Sequence, residues 1–184
     1  MTFPPVELSN NDWALDESFD FIAFDPTFFN TSQTVNTLSA SVQTQLVFPI
    51  TFPITFGTSD LFLTTGNITY AGTWKSYPVI TLTGPYTRAV ITNLQTGVVI
   101  FMSMAIAAGE QRIIDLTPGA QSITDANGVN KFSDLGAGSN LIDFALEPDP
   151  IVAGGIQEIT VQLVDGVNGT SAASLTFYER FFGI

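Results

Sequence analysis

Seventeen carboxylates and five cations make up the charged side chains of this 184-residue chain, which has neither histidine nor cysteine. Without histidine there is no Ser-His-Asp or Cys-His nucleophile, and the usual nitrogen and sulfur ligands of a zinc site are missing. A glycosidase needs only two carboxylates across a cleft, but no acidic pair here sits in a telling motif. No catalytic residue, metal site or cofactor is expected. The run Asp125-Ala126-Asn127-Gly128-Val129-Asn130 has the residue types of a calcium loop. Its spacing fails, because glycine stands fourth rather than sixth and position twelve is Gly136. The same run reads better as a hairpin turn, since Asn-Gly accepts the positive φ angles that such turns need. No phosphate-cradling glycine loop is present. Tyr70 and Trp74 are the candidate sugar-stacking platform; the plainer reading makes both core or interface aromatics.

Charge narrows the partners. Every Lys and Arg lies at Lys75 or later, and the net charge is −12. Nucleic acid is therefore not an expected partner, since affinity there rests on cations neutralising phosphates. Anionic membrane surfaces are excluded on the same grounds. No signal peptide and no membrane-spanning run are expected, so the protein is expected to be soluble. Polar positions are filled mainly by Thr, Ser, Asn and Gln, and only 12% of residues are charged. Such a composition suits a sheet surface, and also a protein whose faces are covered by neighbours, where unpaired charge is costly to bury.

The elements that must carry these residues read as strands. In residues 42–56, Phe48, Ile50, Phe52, Ile54 and Phe56 alternate onto one face, the period of a half-buried strand. Pro49 and Pro53 share the opposite parity, so both missing donors fall on one side and mark an edge strand. Further strands are expected over 61–64, 67–70, 79–83, 89–92, 97–102, 111–115, 141–145, 156–164 and 173–178. A second hairpin turn is expected at Asp165-Gly166-Val167-Asn168-Gly169. Short strands with frequent turn signals and no convincing helix predict an all-β fold, an antiparallel β-sandwich. Residues 1–40 read differently, as an extended N-terminal arm with one or two short strands, and residues 41–184 as the sandwich. The arm carries Trp13, Phe19, Phe21, Phe24, Phe28 and Phe29 together with six acids and no cation. It is too short to bury those rings within itself, so they are the candidate contact surface for a neighbouring subunit.

Several segments also fall in a familiar order: Phe48-Pro49-Ile50-Thr51-Phe52-Pro53-Ile54-Thr55-Phe56, then Gly66-Asn67-Ile68-Thr69-Tyr70-Ala71-Gly72-Thr73-Trp74, then Tyr77-Pro78-Val79-Ile80-Thr81-Leu82-Thr83-Gly84-Pro85. Val90-Ile91-Thr92-Asn93 follows, closed by Thr96-Gly97, and Ala108-Gly109-Glu110 leads into Ile113-Ile114-Asp115. This succession, over about residues 46–181, resembles the C-terminal domain of siphophage distal tail proteins, the siphovirus-type tail component family. The resemblance implies a galectin-like, jelly-roll type sandwich in a bacteriophage tail tip or baseplate. It implies a structural, non-enzymatic part that assembles with copies of itself into a ring, a hexamer in most of that family. The ring joins the tail tube to tip or receptor-binding proteins, so the implied location is the virion tail, after synthesis in the host cytoplasm. The family's Pro-Gly-x-Asn is replaced here by Ala137-Gly138-Ser139-Asn140, and its ring-forming N-terminal domain is longer than this arm. The alternative is a carbohydrate-binding module of a viral adhesion device, although galectins use a histidine-bearing strand that this chain lacks.

Overall fold

The computed structural model describes residues 25, 27–40, 61–64, 68–148 and 155–182. The strand expected over 42–56 lies outside these residues, and so do Trp13, Phe19, Phe21 and Phe24.

The described chain is built from antiparallel strands, in order β1 (Thr27–Phe29), β2 (Thr34–Thr37), β3 (Ser39–Ala40), β4 (Leu61–Thr64), β5 (Ile68–Tyr70), β6 (Val79–Thr83), β7 (Arg88–Asn93), β8 (Val99–Met102), β9 (Gln111–Asp115), β10 (Ser122–Thr124), β11 (Gly155–Gln157), β12 (Ile159–Val164), β13 (Ala172–Phe177) and β14 (Arg180–Phe182). One five-stranded sheet runs β10-β9-β6-β13-β2 and the other β3-β4-β12-β7-β8. With β10 and β3 set aside as edge additions, the pairs β2·β13, β4·β12, β6·β9 and β7·β8 nest as successive rungs of one long hairpin. The pairs β13·β6 and β12·β7 then join those rungs sideways. Such a hairpin rolled into two facing sheets is a jelly roll.

Alternation fixes which side faces in. In β6, Ile80 and Leu82 are fully buried while Val79, Thr81 and Thr83 are half-exposed. The same period runs through β7, β8, β12 and β13. The inward sets of both sheets, such as Ile80, Ile114 and Leu175 from one and Ile91, Ile100 and Val161 from the other, merge into a single apolar core. Register sets the outward rows of the first sheet. One row is Ser122, Asp115, Val79, Thr176 and Val35, and the next is Thr124, Ile113, Thr81, Ser174 and Thr37. Gln111, Thr83 and Ala172 complete the face, on which Asp115 is the sole charge among these strand residues.

Several expectations need correction. Segment 141–145 is a run of bends. The Asn140 side chain caps it, accepting from the Asp143 N–H at 3.0 Å and donating to the Asp143 carboxylate at 2.8 Å, and a lone bridge joins Leu146 to Ser76. The apolar residues Leu141, Phe144, Ala145 and Leu146 plug the core without forming a ladder. Segment 156–164 is two strands: β11 leaves the main sheet to pair with β5, and β12 carries the central ladder. The turn at 165–169 is no hairpin, because β12 and β13 belong to different sheets and the turn carries the chain between them. Asp165 takes a φ of 57° there, and its carboxylate accepts from the Thr87 hydroxyl at 2.7 Å. The turn at Asp125–Gly128 does close a hairpin: Gly128 has a φ of 78° and donates to the Asp125 carbonyl at 3.0 Å.

The boundary expected at residue 40 does not mark the edge of the sandwich. Residues 34–40 supply edge strands to both sheets, and Leu38 between them is buried in the core. Thr27–Phe29 pairs with Arg180–Phe182 in a two-stranded ribbon.

Candidate functional site

The β1–β14 ribbon borders a pocket of about 470 Å³ lined by Asp25, Phe29, Trp74, Ser76, Tyr77, Thr117, Pro118, Tyr178 and Arg180. Four separate stretches of sequence meet here, and Arg180 ties three of them together. Its side chain is 9% exposed. Nε donates to the Thr27 hydroxyl at 3.2 Å, one terminal nitrogen donates to the Lys75 carbonyl at 3.2 Å, and the other donates to Thr27 at 2.8 Å and to the Asp25 carboxylate. The guanidinium also lies over the Phe29 ring, 4.9 Å from its centroid, in cation–π geometry.

Asp25 is held in turn by Thr27, whose hydroxyl donates to it at 2.6 Å and whose N–H approaches at 3.3 Å. Those hydrogen bonds, the hydroxyl's first, and the nearby guanidinium hold the Asp25 carboxyl below its ordinary value. It is an anion at neutral pH, and its side chain remains 49% exposed at the pocket.

The opposite wall is the loop after β5. Tyr70 points from the end of that strand into the core and is fully buried. Its hydroxyl donates to the Trp74 carbonyl at 2.5 Å and accepts from the Arg180 N–H at 3.2 Å. Burial, its largest influence, pushes the Tyr70 phenol above its ordinary value. The Thr73 and Trp74 N–H groups both donate to the Arg180 carbonyl, at 2.9 and 3.1 Å. This close approach needs a glycine at position 72: a β-carbon there would collide with the Tyr70 hydroxyl and come 2.7 Å from the Arg180 carbonyl oxygen. Ser76 fixes the far end, its hydroxyl donating to the Tyr178 carbonyl at 2.5 Å.

Aromatic rings complete the lining. The Trp74 indole, 44% exposed, leans on Phe182 with centroids 5.2 Å apart and planes inclined by 32°. Tyr178, 41% exposed, meets Phe29 edge to face at 6.4 Å. The expected Tyr70–Trp74 platform is thus half corrected. Trp74 faces the pocket, but Tyr70 has no accessible face and acts as a strut beneath it. Of the aromatic residues proposed for subunit contact, Phe28 and Phe29 are described, and both are exposed, at 67% and 54%. Sequence reading missed Asp25, Tyr77, Tyr178 and Arg180. The one available signal was a lone cation within the aromatic run Phe177-Tyr178-Glu179-Arg180-Phe181-Phe182.

Elsewhere, Arg112 and Asp134 form a buried ion pair at 2.7 Å, beside Tyr86. Among the described residues no cluster of three or more Asp or Glu side chains is placed to hold a metal ion, and no helix is long and apolar enough to cross a membrane. Comparison of the chain with family models, curated proteins and solved structures returns no match.

Proposed function

We propose that this protein is a non-enzymatic structural subunit of a bacteriophage tail tip or baseplate, which self-associates into a ring and docks other tail proteins. The observation that carries this reading is the outer face of the β10-β9-β6-β13-β2 sheet. Its three rows hold Thr, Ser, Val, Ile, Ala and Gln, with Asp115 the one charge. The chain as a whole carries a net charge of −12, and this broad sheet face holds a single carboxylate. The centres of protein interfaces are depleted in charged residues in this way. A heterologous contact of this kind, repeated around an axis, closes a ring. The placement in a tail rests on the resemblance of the ordered motifs to the siphovirus-type tail component family, and the jelly-roll fold is in keeping with it. The partners on this reading are further copies of the chain, the tail tube, and tip or receptor-binding proteins.

Thr81 lies at the centre of the face, on the middle strand and in the middle row. Thr81→Arg places a charge there while leaving the core untouched. Size-exclusion chromatography with light scattering is expected to show the wild type as an oligomer and the variant as a monomer with an unchanged melting temperature. A variant that assembles like the wild type would remove this face from the interface.

A further inference from the structure

We propose that the pocket around Arg180 binds a neutral glycan, with the Trp74 indole as its stacking surface. This goes beyond the assembly role and uses other residues: Tyr77, Thr117 and Tyr178 of the pocket stand two positions beyond Val79, Asp115 and Thr176, past the end row of the sheet face.

Size and lining point to a small polar ligand with an apolar face. The volume of about 470 Å³ lies within the roughly 300–1,000 Å³ of small-ligand sites. A pyranose ring presents a patch of C–H groups on one face and hydroxyls around its rim. Aromatic side chains on a wet surface suit the first, because they offer a large apolar area at little entropic cost. Trp74 is prepared for that role. Its backbone is held on both sides by Arg180 and Tyr70, and its indole is backed by Phe182. A ring already fixed loses little freedom when a ligand packs on it.

Charge then selects among glycans. Asp25 is ionised and half-exposed at the pocket, so it can accept charge-assisted hydrogen bonds from sugar hydroxyls. Arg180 is the cation an acidic sugar would seek, but it is nearly buried and already engaged by Asp25, Thr27 and the Lys75 carbonyl. A sialylated or phosphorylated glycan would meet the Asp25 carboxylate first, on a chain of net charge −12. Neutral hexoses and N-acetylhexosamines meet no such repulsion.

The test is a glycan array bearing neutral, sialylated and phosphorylated glycans, probed with the full chain. The best neutral oligosaccharide is then titrated by saturation-transfer NMR. Binding to neutral glycans is expected, weakened about tenfold or more by Trp74→Ala and by Tyr178→Ala, as the loss of one aromatic contact predicts. Phe132→Ala, an exposed ring outside the pocket, should bind like the wild type, and all three variants should melt like it. Absence of any neutral ligand overturns the proposal. So does a preference for acidic glycans, or an affinity unchanged in both pocket variants. Trp74-dependent binding of a proline-rich peptide with no glycan bound would reassign the pocket to a protein partner.

Discussion

Replacing Asp134 by alanine isolates the cost of a charge left alone in the core. Asp134 and Arg112 are 4% and 8% exposed at their side chains and meet at 2.7 Å. At an effective dielectric constant of about 20, two unit charges roughly 4 Å apart attract by about 4 kcal/mol. Desolvation of both groups offsets much of that, so the intact pair contributes little net stability. Asp134→Ala removes the attraction but leaves Arg112 facing inward on β9, where its remaining hydrogen bond runs to the Gln111 carbonyl at 2.9 Å. The backbone bonds of Asp134 to Lys131 and Ser103 are unaffected, so the loop itself should hold. The expected loss is about 3–5 kcal/mol, the range for a buried pair broken on one side. Urea unfolding, read by circular dichroism at constant m, measures it. The double variant Arg112→Met, Asp134→Leu should recover most of the loss, because no charge is then stranded. A single-variant loss under 1 kcal/mol, or a double variant no better than the single, would refute the reasoning.

Two further outcomes probe the pocket. Tyr70→Phe removes a buried hydroxyl that serves both the Trp74 carbonyl and the Arg180 N–H; a loss of about 1–3 kcal/mol in urea unfolding is expected, and a loss under 0.5 kcal/mol would mean the strut is dispensable. Asp25 titrates below its ordinary value of 3.8 in the folded chain, so its contribution is fully present above that pH and is lost as pH falls through the lower folded value. The stability gap between wild type and Asp25→Asn should therefore be constant at neutral pH and close in acid below 3.8. A gap that persists there would show that the charge is not what stabilises the ribbon.

Several of the described strands were legible from their apolar and β-branched residues between turn signals. Val79–Thr83, Gln111–Asp115 and Leu61–Thr64 have the same bounds in sequence and structure. Direction was harder to read. In β9 the alternation leaves Ile113 and Ile114 as rival core residues, and the structure turns Ile114 inward together with Arg112. An inward arginine is legible only once its partner is known, and Asp134 lies in a short 3-10 turn 22 positions away. Segment 141–145 has strand composition, yet its apolar residues fill the core from bends capped by Asn140. The resemblance motif Asn93…Thr96-Gly97 does have a local physical reason. The Asn93 side chain accepts from the Gln95 and Thr96 N–H groups, at 2.9 and 3.3 Å, and Gly97 takes the positive φ of 72° that closes the turn.

The pocket was the least legible feature, because it exists only through long-range pairing. Arg180 and Asp25 are 155 residues apart, and the ribbon that joins them has three residues per strand, too few to show a period. Tyr70 and Trp74 looked like a pair from their spacing. A strand end turns the first inward, and the loop that follows turns the second outward. Chain separation alone gives no hint of such a division of roles.

Self-association is the claim on which the functional reading rests, and mass photometry of the purified wild-type chain at micromolar concentration tests it most directly. A single species at the mass of a closed ring, a hexamer if the resemblance to the tail component family extends to assembly, is the expected result. A monodisperse monomer under the same conditions would contradict a ring-forming subunit.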